Sequence, residues 1–208
     1  MFGEILLRSF YDRDVIVVAQ ELLGKIVVRR SRNGLCLGSI VETEAYLAIG
    51  DSASHSFRGQ TKRNASMFGP PGYAYVYSIH SRYCMNAVTQ GRGQASAVLI
   101  RAIQPLAGLA FMQRRRGTHR VLELCRGPAR LCEALDVDRR LDGWDMCCPA
   151  RLWIANEDPP NTCDHTITTS SRIGVTSAED AQLRFFIDGS PFVSGLKRLH
   201  RTKPRPAN

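Results

Sequence analysis

Glu42, Glu44 and Tyr46 fall at alternate positions in Val-Glu-Thr-Glu-Ala-Tyr (41–46), and Arg101 follows downstream at the end of the apolar run Val98-Leu99-Ile100. In an extended chain that period of two puts all three side chains on one face. Two carboxylates roughly 7 Å apart repel, so one acquires a raised pKa unless a cation intervenes. A carboxylate beside an aromatic ring can deprotonate water and stabilise an oxocarbenium-like sugar, the logic of glycoside hydrolysis. Taken alone, the hexapeptide reads more simply as a solvated strand face with two ordinary glutamates. Arg101 is expected at a strand end near the core, where a guanidinium needs an anion; Glu42 or Glu44 fits that need.

The same stretch holds further groups suited to a planar ligand. Alternation over 73–80 puts Tyr73, Tyr75, Tyr77 and Ile79 on one face, with Ala74, Val76, Ser78 and His80 on the other. Tyrosines so spaced usually pack, and a lone His55 usually caps a loop. Together Tyr46, His55 and Tyr77 could instead wall a slot for a flat base, held by stacking and edge hydrogen bonds. Arg58 and Thr61-Lys62-Arg63-Asn64 form a cationic loop of the type that touches backbone phosphate, or simply a solvated loop. Arg126-Gly127-Pro128-Ala129-Arg130 places a helix N-terminus beside two arginines, which suits an anion.

The elements that must position these residues follow from local signals. Asp12-Arg13-Asp14 can cap a helix running to about Leu23, ended by Gly24 and striped with Val15, Val18, Ala19, Leu22 and Leu23. Strands are expected at 25–30 and 36–41 around a turn at 31–34, then at 73–79, 95–102, 151–155, 165–170 and 183–187. Helices are expected at 106–115 and 128–135, and 47–72 reads as a long, functional loop. No βαβ rhythm is present. The expected fold is α+β: a single mixed domain over 1–197, a largely antiparallel curved β-sheet flanked by helices, followed by a disordered basic tail at 198–208.

Composition narrows the class. The chain has 208 residues and a formal charge of +9, with only four lysines, so arginine supplies most of the charge. That favours polyanionic partners, although an Arg-rich composition alone would look the same. Seven cysteines form no Cys-x-x-Cys pair, and Cys163-Asp164-His165 is too isolated for a zinc site; reduced thiols and no metal are expected. No apolar run approaches a membrane span and the N-terminus has no secretory pattern, so an intracellular protein without a membrane partner is expected.

Read together, these segments resemble the alkyladenine (3-methyladenine) DNA glycosylase family, the class without a helix-hairpin-helix. The matching elements are Val-Glu-Thr-Glu-Ala-Tyr, Ala-Ser-His-Ser (53–56), Gln-Thr-Lys-Arg-Asn (60–64), Tyr-Val-Tyr (75–77), Cys84-Met85-Asn86, Val-Leu-Ile-Arg-Ala (98–102), Gly-Pro-Ala-Arg-Leu-Cys (127–132), Arg172-Ile-Gly-Val and Gly189-Ser-Pro-Phe. They run in order along nearly the whole chain. The resemblance implies a monomeric, cofactor-free hydrolase that excises alkylated or deaminated purines flipped out of double-stranded DNA. It implies Glu44 as general base, Arg101 as its partner, Tyr46, His55 and Tyr77 on the base, and Asn86 excluding guanine. Thr61, Lys62, Arg63 and Arg130 would contact the backbone. Relatives carry a wedge tyrosine after Tyr-Val-Tyr, whereas this chain reads Ile79-His80-Ser81-Arg82-Tyr83. His80 takes the wedge position, or Arg82 or Tyr83 if the one-residue gap falls earlier. The rival readings are a non-catalytic damage sensor, an RNA- or nucleotide-handling protein, and a small-molecule hydrolase using the Glu42/Glu44 pair.

Overall fold

The anticipated hairpin around 31–34 forms one end of the sheet that organises the molecule. In a computed structural model, which describes residues 2–158, 166–196 and 200, strand β2 (Ile26–Ser31) turns through Arg32 and Asn33 into β3 (Gly34–Tyr46). Strand β3 is longer than expected and carries the whole of 42–46. On its other edge lies β6 (Ser96–Ala107), then β5 (Arg82–Thr89) and β4 (Ala74–Ile79); beyond β2 lie β7 (Leu152–Glu157) and β1 (Phe2–Ile5). The edge that β3 offers to β2 over 34–39 passes to β9 (Arg184–Ile187) over 42–44, and β9 pairs in turn with β8 (Ile167–Ser170). Every pairing of these strands is antiparallel. The fold is α+β with one open antiparallel sheet.

Helices cover one face. The expected N-terminal helix divides into α1 (Arg8–Tyr11) and α2 (Val15–Glu21), because Asp14 is extended and caps α2, its Oδ1 accepting from the amides of Ile16 (2.9 Å) and Val17 (3.3 Å). Val15, Val18, Ala19 and Leu22 are buried as the stripe predicts. The helix expected from 106 starts later, as α3 (Leu109–Arg116), because β6 continues through Pro105, opposite Gly38. Gly108 (φ 78°) then turns the chain; a side chain there would collide with the Leu35 carbonyl. Helix α4 (Val121–Leu124) precedes α5 (Pro128–Leu135), whose bounds match expectation. Helix α5 packs on β5 and β6, and α2 on β3 and β6. The main core lies between these helices and the sheet, with Val76, Met85, Ala87 and Ile100 on the sheet side.

On the opposite face a second cluster gathers Tyr75, Tyr77, Cys84, Val88 and Leu99 over Met67. Residues 47–73 form the expected long loop, with a short 3-10 turn at Ala65–Phe68. The strand expected from 165 begins at Ile167, and Cys163 and His165 lie outside the described residues. Of the basic tail only His200 is described, with Nε2 2.9 Å from the Ser194 carbonyl oxygen. No helix among the described residues is long and apolar enough to cross a membrane.

Candidate active site

Sheet register brings the chemistry together. Tyr75 pairs with Asn86, Asn86 with Leu99, and Leu99 with Glu44, so four strands present these positions at one level. The β3–β6 ladder is irregular where Glu42 pairs with Ala102 and Thr43 with Ile100, leaving Arg101 outside the regular pairing. That irregularity lets one guanidinium reach two carboxylates. Arg101 Nη1 donates to Glu44 Oε2 at 3.0 Å, and its Nε lies 3.3 Å from Glu42 Oε1. Arg101 therefore sits inside a strand, not at its end.

Both glutamate side chains are completely buried, which overturns the solvated-face reading. Glu42 is held by the Arg184 Nε–H at 2.6 Å and by the Ser194 amide at 2.7 Å. Burial alone would raise its pKa; the Arg101 and Arg184 guanidiniums outweigh it and hold the carboxyl below its ordinary value. Arg101 is desolvated too, but the two carboxylates more than offset that and raise its pKa. Glu44 accepts three hydrogen bonds: the Ile173 amide on Oε1 at 2.7 Å, and the Tyr46 hydroxyl (2.9 Å) and Arg101 on Oε2. Burial, then the Glu44 charge, push the Tyr46 phenol far up, so it stays a proton donor.

In front of this carboxylate cluster lies a cavity of about 290 Å³, lined by Tyr46, His55, Met67, Tyr75, Tyr77 and Asn86 and closed on one side by Gly174–Ser177. Glu44 and Arg101 are not in the lining; Tyr46 separates them from the cavity by one side chain. His55 sits edge-on to Tyr77, ring centroids 4.5 Å apart at 72°, and its Nδ1 is 2.9 Å from the Tyr75 hydroxyl. Burial and the nearby Arg63 lower its pKa, favouring the neutral ring. The Asn86 amide donates to the Tyr75 carbonyl at 2.9 Å, fixing it in the wall. Tyr46, His55, Tyr77 and Asn86 thus line one cavity. Tyr75, Met67, Ile79 and the 174–177 segment join them unforeseen. Tyr75 shares the parity of Tyr77, a usable signal; Gly174 and Val175 belong to the Arg172-Ile-Gly-Val segment of the resemblance, but no residue type there marks a cavity wall.

One ion pair ties the two loops of the cavity together. Arg172 donates to both Asp51 oxygens at 2.6 and 2.7 Å and to the Ala45 carbonyl at 3.0 Å, with its guanidinium 4.6 Å over the Tyr46 ring. Asp51 also accepts the Leu47 and Ala53 amides. The cationic loop is ordered by Asn64, whose amide donates to the carbonyls of His55 and Gly59 while its oxygen accepts from Thr61. Thr61, Lys62 and Arg63 remain on the exposed side, Arg63 donating to the Ser78 carbonyl at 2.7 Å.

Beside the cavity, Ile79 pairs with Arg82 across the two-residue turn His80-Ser81. Both turn residues are left-handed (φ 45° and 64°), the twist-matched geometry of a tight hairpin, here without glycine. His80 is exposed at the tip, Arg82 is the first paired residue, and Tyr83 packs against the main core. Arg130 is exposed on α5 and does not line the cavity. Arg126 does not face the helix start as a companion to Arg130; it donates to the Val193 carbonyl at 2.7 Å.

Known proteins match along most of this sequence. A relative from Rhodopirellula baltica, provisionally named a 3-methyladenine DNA glycosylase, is 46% identical over 202 residues, covering 95% of this chain and 85% of its own. Relatives of the same name from Mesorhizobium japonicum (45% identical, 92% and 91% covered) and Methanoculleus marisnigri (44%, 89% and 96%) show the same likeness. The family model described as Methylpurine-DNA glycosylase (MPG) matches residues 9–191, all of the sheet except β1 and every element of the cavity, so the chain belongs to the methylpurine-DNA glycosylase family.

Proposed function

We propose that this protein is a DNA-3-methyladenine glycosylase of base excision repair that hydrolyses the N-glycosidic bond of a damaged purine turned out of duplex DNA. One observation carries the reading: a buried carboxylate held by three donors lies one tyrosine behind an aromatic cavity. The base occupies the cavity between Tyr46, His55 and Tyr77, with Asn86 rejecting a purine that carries an extra exocyclic amino group. Glu44 takes a proton from water, and the water oxygen attacks the sugar anomeric carbon as the bond to the base breaks. The electron pair of that bond leaves with the base, and an abasic sugar remains. Arg101 and Tyr46 orient the carboxylate. His80 fills the gap in the duplex, and Thr61, Lys62, Arg63 and Arg130 hold the backbone. The enzyme works inside the cell as a monomer and needs no cofactor.

The test is single-turnover base release from duplexes carrying 3-methyladenine, hypoxanthine or ethenoadenine. Release of at least one lesion and none from undamaged guanine is expected. Tight binding without any release would leave a damage sensor instead. Within the active site, Tyr46→Phe keeps the ring but removes a hydrogen bond to a charged group. Release should slow about ten- to a hundredfold, with little change in lesion affinity. An unchanged rate would mean that the hydroxyl plays no part in orienting Glu44.

A further inference from the structure

Away from the cavity, the β2–β3 turn and the segments beside it enclose a cleft of about 880 Å³ whose charged lining is Arg29, Arg30, Arg32, Arg140, Arg151 and a single carboxylate, Asp136. Asp136 serves Arg29 (3.5 Å) and Arg140 (3.9 Å), and Arg140 also pairs with Asp138 at 2.6 Å. Among the described residues, no carboxylate lies within ion-pair distance of Arg30, Arg32 or Arg151. Two of the three are nevertheless held in place. Arg30 stacks on Trp153 and Arg151 on Trp144, each 5.2 Å from the ring centroid, which fixes the guanidinium planes. Beneath them the buried Arg29 donates to the carbonyls of Arg30 in β2 and of Arg151 just before β7, tying the two together. Burial, then Arg151 and Arg115, lower the Arg29 pKa although Asp136 opposes this, as expected where positive charge is crowded. Planar donor forks held in excess over acids suit phosphate.

The position of the cleft points to a particular phosphate. Asp136 also lines the groove under the β4–β5 turn, together with Ser81 and Arg82, and that turn follows Ile79 in the cavity wall. The cleft therefore shares a wall residue with a groove whose turn adjoins the cavity. Strand β3 runs from Gly34 at the cleft to Glu44 at the active site, about 33 Å at the usual rise, close to one turn of B-form DNA. We propose that the arginine cleft is a second phosphate-gripping site, taking the backbone of the lesion-bearing duplex about one helical turn from the flipped base. This rests on the glycosylase reading, and its occupant is the flank of the same duplex.

The experiment measures binding of full-length protein to 30-base-pair duplexes carrying ethenoadenine, placed centrally or about five base pairs from either end. Wild type is compared with Arg30→Gln/Arg32→Gln, which touches no residue of the catalytic site. On the central duplex the slope of log affinity against log salt should shrink by about 1.8, two contacts at about 0.9 each. Trimming one particular flank should erase the difference between the proteins, and trimming the other should not. Single-turnover release at saturating enzyme should be equal for both. Equal slopes on every duplex would overturn the proposal, as would a loss independent of both flanks, which indicates a second duplex or mere net charge. An equal loss in Arg120→Gln, an exposed arginine elsewhere, would overturn it too. So would binding of polyglutamate by wild type but not the variant, with DNA slopes unchanged, because the cleft would then serve an acidic protein. Should the double variant fail to melt cooperatively, Arg151→Gln alone is expected to show the same flank-dependent loss at about half the size. Absence of base release by the wild type would sink the glycosylase reading without bearing on these affinities.

Discussion

Glu44→Gln is expected to slow single-turnover base release about a thousandfold, while affinity for an ethenoadenine duplex stays within about threefold of wild type. The amide keeps the shape of the carboxylate but cannot accept a proton from water. The site makes the substitution informative because donors approach both oxygens: the Ile173 amide at Oε1, and Tyr46 and Arg101 at Oε2. Whichever way the glutamine turns, its NH2 meets a donor, so about 1–3 kcal/mol of stability should be lost as well. Melting of the free variant separates that loss from catalysis. Glu42→Gln is the matched control. Glu42 lies two residues away on the same guanidinium, but its other partners are Arg184 and Ser194. It should weaken the fold and leave release from folded enzyme within about tenfold. If Glu42→Gln collapses release and Glu44→Gln does not, the roles of the two carboxylates are reversed.

That the two can be told apart only in three dimensions illustrates what the sequence carries. Alternation put Glu42, Glu44 and Tyr46 on one face, and it held because the irregular pairing falls around Glu42 and Arg101 and leaves 43–46 in regular register with β6. Tyr75 and Tyr77 were legible for the same reason. Helix α5 was bounded correctly by a proline at its first position and its apolar spacing. Strand β5 was not found: Cys84, Met85, Asn86, Ala87, Val88 and Thr89 are all buried, so both faces are covered and no alternation survives. The strand expected to stop at 102 continues instead to Ala107, and β6 carries Pro105 opposite Gly38.

The groups that define the active site most sharply come from farthest along the chain. Ile173 donates to Glu44 across 129 positions, and Arg172 reaches Asp51 across 121. Neither has a local pattern that could announce a partner at that distance. Arg184 is the clearest case. It opens Arg-Phe-Phe-Ile and reads as a polar residue beside apolar ones, but β9 joins β3 at Glu44 and the guanidinium is completely buried beside Glu42.

Removing that guanidinium should have the largest effect on stability. Arg184→Leu is expected to cost about 3–5 kcal/mol in urea unfolding at pH 7. It leaves Glu42 with the Ser194 amide and with Arg101, whose Nε stands 3.3 Å away and makes no hydrogen bond, so a buried anion loses its best donor. Arg184→Leu/Glu42→Leu should recover more than half of the loss, because the uncompensated charge goes with its partner. The pH dependence has a definite sign. Glu42 has its pKa lowered in the folded protein, so its contribution is present above its ordinary value of 4.5 and is lost as pH falls through the folded value. The gap between wild type and Arg184→Leu should therefore be widest above pH 4.5 and narrow below it, as the carboxyl takes up a proton. A cost below about 1 kcal/mol at pH 7, the scale of an exposed pair, would show that the cluster behaves as a surface ion pair. Catalysis should respond differently, because Arg101 keeps Glu44 oriented when Arg184 is gone. Release per folded molecule in Arg184→Leu should stay near wild type, separating the arginine that supports the fold from the one that serves the base.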